Sequence, residues 1–269
     1  MTKPDPVPSS RSSESEPVKH GGAKTPKIVV MILTYNCAHL LKTAYQKIPK
    51  DLVDVVFVTD DGSTDNVIEV AQSLGIEIIK HETNRGYGGN VKSGLKHALD
   101  LEADYVFEVH GDGAQFDPQA LKEAIPFIED GAHLILGSRF REAGQARGNG
   151  MPLVRWLANR FLSYIDKRVL KLPLTEFHTG FRIYSRTLLE TVSYDQNSDD
   201  YLFSFQIIAQ AAYHDMQVSE VAVEADYISE HTSHALLGAA LYAVRTFGVL
   251  TSYILARKGV RHSRTFPAQ

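Results

Sequence analysis

An α/β fold, built on one open and mostly parallel sheet with helices on both faces, is what this sequence predicts. Three observations predict it. Short runs rich in Val and Ile alternate with helical patterns of roughly ten residues. The runs are continuously apolar rather than alternating, as expected of strands covered on both faces. Each is followed by a polar, often glycine-rich turn, and in open parallel sheets ligands sit beyond the carboxyl ends of the strands. The composition agrees: 269 residues, 43% hydrophobic and 22% charged, are enough for a large core and exclude collagen, whole-chain disorder and a disulfide scaffold.

Residues 1–26 hold five of the eleven prolines, five serines and almost no apolar side chain, so burial cannot offset their ordering entropy and a disordered tail is expected. Strands follow at IVVMIL (28–33), VVFVT (55–59), IEIIK (76–80), DYVFEV (104–109) and HLILG (133–137). Between them lie the helical patterns AHLLKTAYQKI, NVIEVAQSLG, GGNVKSGLKHAL and PQALKEAIPFIE. The second half is less regular: a helix in MPLVRWLANRFLSYIDKRVL, a turn at TEFHTG, a short strand FRIY, a helix around YLFSFQIIAQAAY and a strand in QVSEVAVEADY. Length alone allows two domains at about 150 residues each. No linker and no internal repeat divides the chain, however, so one domain over 27–230 is expected, with a C-terminal apolar helix and basic tail over 231–269.

The net charge of -4 gives no basic excess for a nucleic-acid partner. The single cysteine, Cys37, and the lack of an apolar leader point to a reducing cytosol.

The strand-end loops carry the chemistry. In DDGSTD, the adjacent acids Asp60 and Asp61 suit ribose hydroxyls or the imino N–H of a base, whereas Ser63 and Asp65 read equally as turn and cap residues. NRGYGGN supplies glycines for close backbone approach and a cation, Arg85, but matches neither the dinucleotide nor the P-loop spacing. In HGDGAQFDP, Asp112 stands in a glycine-flanked turn and is the strongest metal-ligand candidate, with His110 and Gln115 as assistants; His110 reads equally well as a structural histidine.

TYN, DDGSTD, NRGYGGN, the aspartate-centred motif, GSR and HTGFR, in this order, resemble the family 2 glycosyltransferases of GT-A fold. Within them the resemblance is to the dolichyl-phosphate mannose synthase-like and polyprenyl-phosphate branch. It covers residues 27 to about 230. It implies inverting transfer from a nucleotide-diphosphate sugar, with Mg²⁺ or Mn²⁺ on the diphosphate. The implied donor set is Thr34, Tyr35, Asn36, Asp60, Asp61, Arg85, Gly86 and Gly88, of which Tyr35 and Asp61 would hold the nucleoside. Asp112 would be the second acid of the family's DxD motif; the first is His110 here, and the family's glutamine falls one residue late at Gln115. Ser138 and Arg139 would meet the diphosphate or the acceptor phosphate, with Arg182 near them, and Arg139 is expected to point from the loop edge. Asp112, Arg139 and Asp200 form the implied catalytic set, Asp200 as base for a hydroxyl acceptor or, on its other reading, as a cap for the helix that follows. A phosphate acceptor is already ionised and needs no base. His231 falls where the family places an acceptor-side loop; paired only with His234, it does not predict zinc.

The implied acceptor is a polyprenyl phosphate or, alternatively, a glycan hydroxyl. A nucleotide-sugar-binding protein without turnover is the rival from another class. From His231 onward there is no acid and five basic residues. Residues 235–256 reach the roughly 20 apolar residues of a bilayer span, but Arg245 near the middle would cost about 2.5–3.5 kcal/mol there. A helix packed on the domain and one lying at a membrane surface are both expected readings, the second making the protein peripheral at the cytoplasmic face.

Overall fold

The computed structural model describes residues 25–112, 116–225 and 236–268. Most of the expected N-terminal tail, together with Gln115, His231 and His234, lies outside these residues.

Seven strands form one sheet: β1 (Ile28–Thr34), β2 (Val55–Asp60), β3 (Glu77–Lys80), β4 (Tyr105–His110), β5 (Leu134–Ser138), β6 (Arg182–Ser185) and β7 (Val218–Ala222). Their order is β3-β2-β1-β4-β6-β5-β7, with every neighbouring pair parallel except those made by β6. The helices are α1 (Ala38–Lys47), α2 (Val67–Ser73), α3 (Tyr87–Asp100), α4 (Leu121–Glu129), α5 (Gln145–Gly148), α6 (Leu153–Leu170), α7 (Arg186–Thr191), α8 (Phe203–Tyr213) and α9 (Leu236–Arg257).

The continuous apolar runs have the cause expected of them. All of β1 is buried. Val29, Met31 and Leu33 face one core with α3, α8 and α9, whereas Ile28, Val30 and Ile32 face a second core with α1, α2 and α4. A β-carbon on Gly94 would stand 2.8 Å from Met31 Sδ, so glycine sets how closely α3 lies on the sheet.

The FRIY segment enters antiparallel between β4 and β5, pairing Ile183 with Phe107 on one side and Ile135 on the other. Strands β4 and β5 therefore run the same way, and the carboxyl ends of β1 to β5 share one edge. Because β6 runs backwards, its amino end lies at that edge too. The HTGFR turn is brought there by topology.

The C-terminal segment is packed. Val249, Leu250, Tyr253 and Ala256 of α9 are buried, and the tail folds back so that Phe266 sits in the core among Tyr213 and Tyr253. Among the described residues no helix is long and apolar enough to cross a membrane.

Candidate active site

Thr34 pairs with Asp60, and Leu33 with His110, so the TYN, DDGSTD and HGD turns leave the sheet side by side. Asp60 is fully buried and its carboxylate is used inside the loop, accepting from the Ser63 amide at 2.9 Å, the Ser63 hydroxyl and Thr34 Oγ1 at 3.1 Å. It shapes the turn from beneath. Asp65 accepts from the Ala38 amide at 2.8 Å and the Val67 amide at 3.3 Å, meeting unpaired donors at the starts of both α1 and α2. Asn36, at φ 51°, accepts from the Thr64 amide at 2.9 Å, which leaves Tyr35 half exposed at the mouth.

Asp61 reaches the other way. Its oxygens accept from the amides of Arg85 at 2.8 Å and Gly86 at 3.0 Å, and from His81 Nδ1 at 3.0 Å, so it ties β2 to the glycine loop before α3. The glycines there meet another part of this chain: a β-carbon on Gly86 would lie 2.5 Å from the Asp199 carbonyl, and one on Gly88 2.2 Å from that of Ser198. The Gly88 amide donates to the Asp199 carbonyl at 2.8 Å. The guanidinium of Arg85 stays at the exposed rim.

Beneath the turn after β4 lies a buried polar network centred on Glu108. Its carboxylate accepts from Tyr87 and Tyr184, lies 3.1 Å from His110 Nε2 and 3.6 Å from Arg182. Burial would raise the Glu108 carboxyl, but the hydrogen bond from His110 and the charge of Arg182 outweigh it and hold it low. His110 thus turns Nε2 inward onto Glu108, as its reading as a structural histidine expects. Arg182 is likewise buried, held by Tyr87, Glu108 and the Thr179 carbonyl.

Asp112 stands just above, where the Gly111 amide bonds the Leu33 carbonyl at 2.8 Å and leaves no room for a side chain beside Thr34. Burial, and then the charges of Asp112, Asp65 and Asp60, push the Cys37 thiol up to about 11 against a hydrogen bond at the Tyr35 backbone. Among the described residues no three His, Cys, Asp or Glu side chains form a ready-made metal cluster. The donor chemistry still fits a hard divalent cation, which takes one or two protein carboxylates and fills its shell from phosphate oxygens and water.

At the end of β5 the expectation that Arg139 points from the loop edge is corrected. Arg139 is 2% exposed and turned inward onto the buried Glu176, which accepts from its amide at 2.7 Å and its Nε at 2.9 Å. Ser138 Oγ faces Thr175 Oγ1 at 2.6 Å. Asp200 accepts from the Leu202 amide at 3.0 Å, from Ser198 Oγ at 2.8 Å and from Arg245 of α9. The slight desolvation of Asp200 is outweighed by Arg245, which holds its carboxyl below the ordinary range. The arginine that looked misplaced in an apolar helix has its partner here.

The sequence reading passed over Glu108, Glu176 and His81. A signal existed for the first: an acid inside the apolar strand DYVFEV requires a buried partner. Glu176 and His81 lay in segments read as a turn and a strand end, and nothing local marks them.

A protein-family model described as "Glycosyl transferase family 2" matches residues 29–193. The chain is 26% identical over 217 residues to the UDP-N-acetylglucosamine–dolichyl-phosphate N-acetylglucosaminyltransferase of Methanococcus voltae, covering 74% of this chain and 86% of that one. It is 24% identical over 248 residues to the polyprenol monophosphomannose synthase of Mycolicibacterium smegmatis, covering 88% and 92%. Among solved structures, glucosyl-3-phosphoglycerate synthase from Mycobacterium tuberculosis, bound to Mn²⁺, UDP and glucosyl-3-phosphoglycerate, superposes with a TM-score of 0.61 at 17% identity, over 88% of this chain and 82% of that one. That likeness establishes the GT-A architecture.

Proposed function

The chain belongs to glycosyl transferase family 2, and on that premise we propose that it moves a sugar from a nucleotide-diphosphate donor to the phosphate of a polyprenyl phosphate, with inversion at the anomeric carbon. The observation that carries this reading is the state of Asp200. A general base works best with a pKa near the operating pH, and this carboxylate is held low by Arg245 while capping the segment before α8. A phosphate oxygen needs no such base, and two relatives are named for phosphorylated polyprenols.

In the proposed reaction an acceptor phosphate oxygen attacks the anomeric carbon from the face opposite the leaving group. The bond from that carbon to the diphosphate oxygen breaks, and its electron pair departs with the nucleoside diphosphate. Tyr35 and Asp61 hold the nucleoside end, and Arg85 lies at the rim beside it. Asp112 would hold Mg²⁺ or Mn²⁺, which would offset the charge building on the leaving diphosphate. The acceptor chain places the protein at the cytoplasmic face of a membrane.

The test is transfer from UDP-, GDP- and dTDP-sugars to a short-chain polyprenyl phosphate in detergent, for the wild type and Asp200→Asn. The variant is expected to stay within about threefold, against the loss of about a hundredfold or more that removal of a general base brings. Transfer restricted to sugar hydroxyls, together with that larger loss, overturns the phosphate-acceptor reading. Donor binding without turnover on any acceptor overturns the enzyme reading.

A further inference from the structure

We propose that the outward face of α6 is the surface by which this protein docks on an anionic lipid bilayer. The inference deepens the polyprenyl-phosphate reading and rests on it for its purpose. On α6 the residues Leu153, Leu157, Phe161 and Tyr164 recur at helical spacing along one face, with Val154 beside them, and all five are between 54% and 73% exposed. At 1.5 Å per residue the stripe is about 17 Å long. A contiguous exposed apolar stripe of this length on a folded chain marks an interaction surface.

Charge names the partner. Arg155, Arg160, Lys167, Arg168 and Lys171 are exposed on the helix and at its end. The only acid of α6, Asp166, is turned inward, 3.0 Å from His178 Nε2. The basic groups lie along the aromatic ones: Arg168 stands 5.2 Å over the ring of Tyr164, and Arg160 stands 5.5 Å over that of Phe140. At the carboxyl end a shallow recess of about 600 Å³ is lined by Tyr164, Lys167, Arg168 and Lys171, with Leu172 and Pro173. A helix with apolar and aromatic residues on one side and only cations around them is the composition of an interfacial membrane helix.

Two other occupants fit less well. A second copy of the chain would oppose five cations to five cations. The N-terminal residues 1–24 contain only Met1, Val7, Val18 and Ala23 as apolar side chains, too few to cover the stripe. Docking through α6 would also set the orientation of the candidate site. Through Asp166 the helix holds His178, whose Nδ1 lies 3.2 Å from Tyr242 of α9 and whose carbonyl accepts from Arg139 at 3.2 Å.

The single tryptophan of the chain, Trp156, lies on α6 and reports on it directly. The full chain, without nucleotide or acceptor, is floated with vesicles of phosphatidylglycerol and phosphatidylcholine, or of phosphatidylcholine alone. Binding to the anionic vesicles is expected to be at least about tenfold tighter and to weaken with salt. Trp156 fluorescence should be quenched by lipids brominated on the acyl chain. Leu157→Glu with Phe161→Glu is expected to weaken binding by at least about tenfold, with an unchanged circular dichroism spectrum because both side chains are exposed. Leu241→Glu with Val244→Glu, on the exposed face of α9, should leave most binding intact. The proposal is overturned if the wild type ignores anionic vesicles, if it floats with Trp156 unquenched, or if the α9 pair abolishes binding and the α6 pair does not. It is also overturned if the α6 pair merely dissociates a dimer. A wild type that fails to dock yet transfers in detergent counts against this surface alone; a wild type that docks without any transfer counts against the functional reading alone.

Discussion

The two halves of the sheet edge use charge in opposite ways. At the ends of β1 and β2, acids are satisfied by amides and side chains of the adjoining loops: Asp60 by the Ser63 amide and the hydroxyls of Ser63 and Thr34, Asp61 by the amides of Arg85 and Gly86 and by His81, and Asp65 by the amides of Ala38 and Val67. Toward β5, β6 and α9, arginines are satisfied by carboxylates far away in the chain: Arg139 by Glu176, Arg182 by Glu108 and Arg245 by Asp200. These acids shape the loops at the sheet edge. The buried pairs of Arg139 and Arg182 lock one element onto another, and each member becomes costly to remove alone. An acid on this edge is therefore a candidate for ligand chemistry, and a buried arginine is first a brace.

The sharpest way to break this contrast is Glu176→Ala. It strands the buried Arg139 charge and is expected to cost about 3–5 kcal/mol of stability, read as a lower denaturation midpoint in urea. Replacing both partners with apolar residues should recover most of that loss. A single variant as stable as the wild type would remove Arg139 from its bracing role.

Asp112→Ala should behave in the opposite manner, with transfer falling at least about a hundredfold while the urea midpoint stays put, because a loop-edge carboxylate contributes to charge stabilisation rather than packing. Retention of a tenth or more of the wild-type rate in Mn²⁺ would take it out of the metal role.

Asp61→Ala falls between the two. Loss of its three partners should loosen the glycine loop by about 1–3 kcal/mol, and donor affinity should fall more than turnover of bound donor, since nucleoside contacts are alike in ground and transition states. Titration calorimetry with the donor, set beside single-turnover rates, decides the point; an unchanged dissociation constant with a collapsed chemical step would contradict the nucleoside assignment.

The smallest effect is expected at Asp200. Its carboxyl lies below the ordinary value of 3.8, so the pair with Arg245 adds stability above that pH and loses it as the pH falls through the lowered value. Both side chains are partly exposed, so the contribution is below about 1 kcal/mol. Comparing wild type and Arg245→Gln in urea between neutral pH and pH 3 checks the sign: the two curves should converge on acidification, and divergence would reverse it.

Much of this molecule was legible in its sequence, because its cause is local. The apolar runs of β1, β2, β4 and β5 state that both faces are covered, and the polar turns after them state which edge is open. The cap reading of Asp65 needed only the start of α2, and the cap reading of Asp200 only Leu202. Other features needed the tertiary structure. A short strand such as FRIY does not declare its direction, yet its antiparallel entry delivers Glu176 and His178 to the edge. The glycines of NRGYGGN announce a close approach but not what approaches, which here is the 198–200 turn of the same chain. The roles of Arg139, Arg182 and Arg245 could not be read from their neighbours, since burial and pairing depend on which distant acids the fold brings within reach. Periodicity and caps act over a few residues, whereas a buried charge is assigned its partner only when the sheet has closed around it.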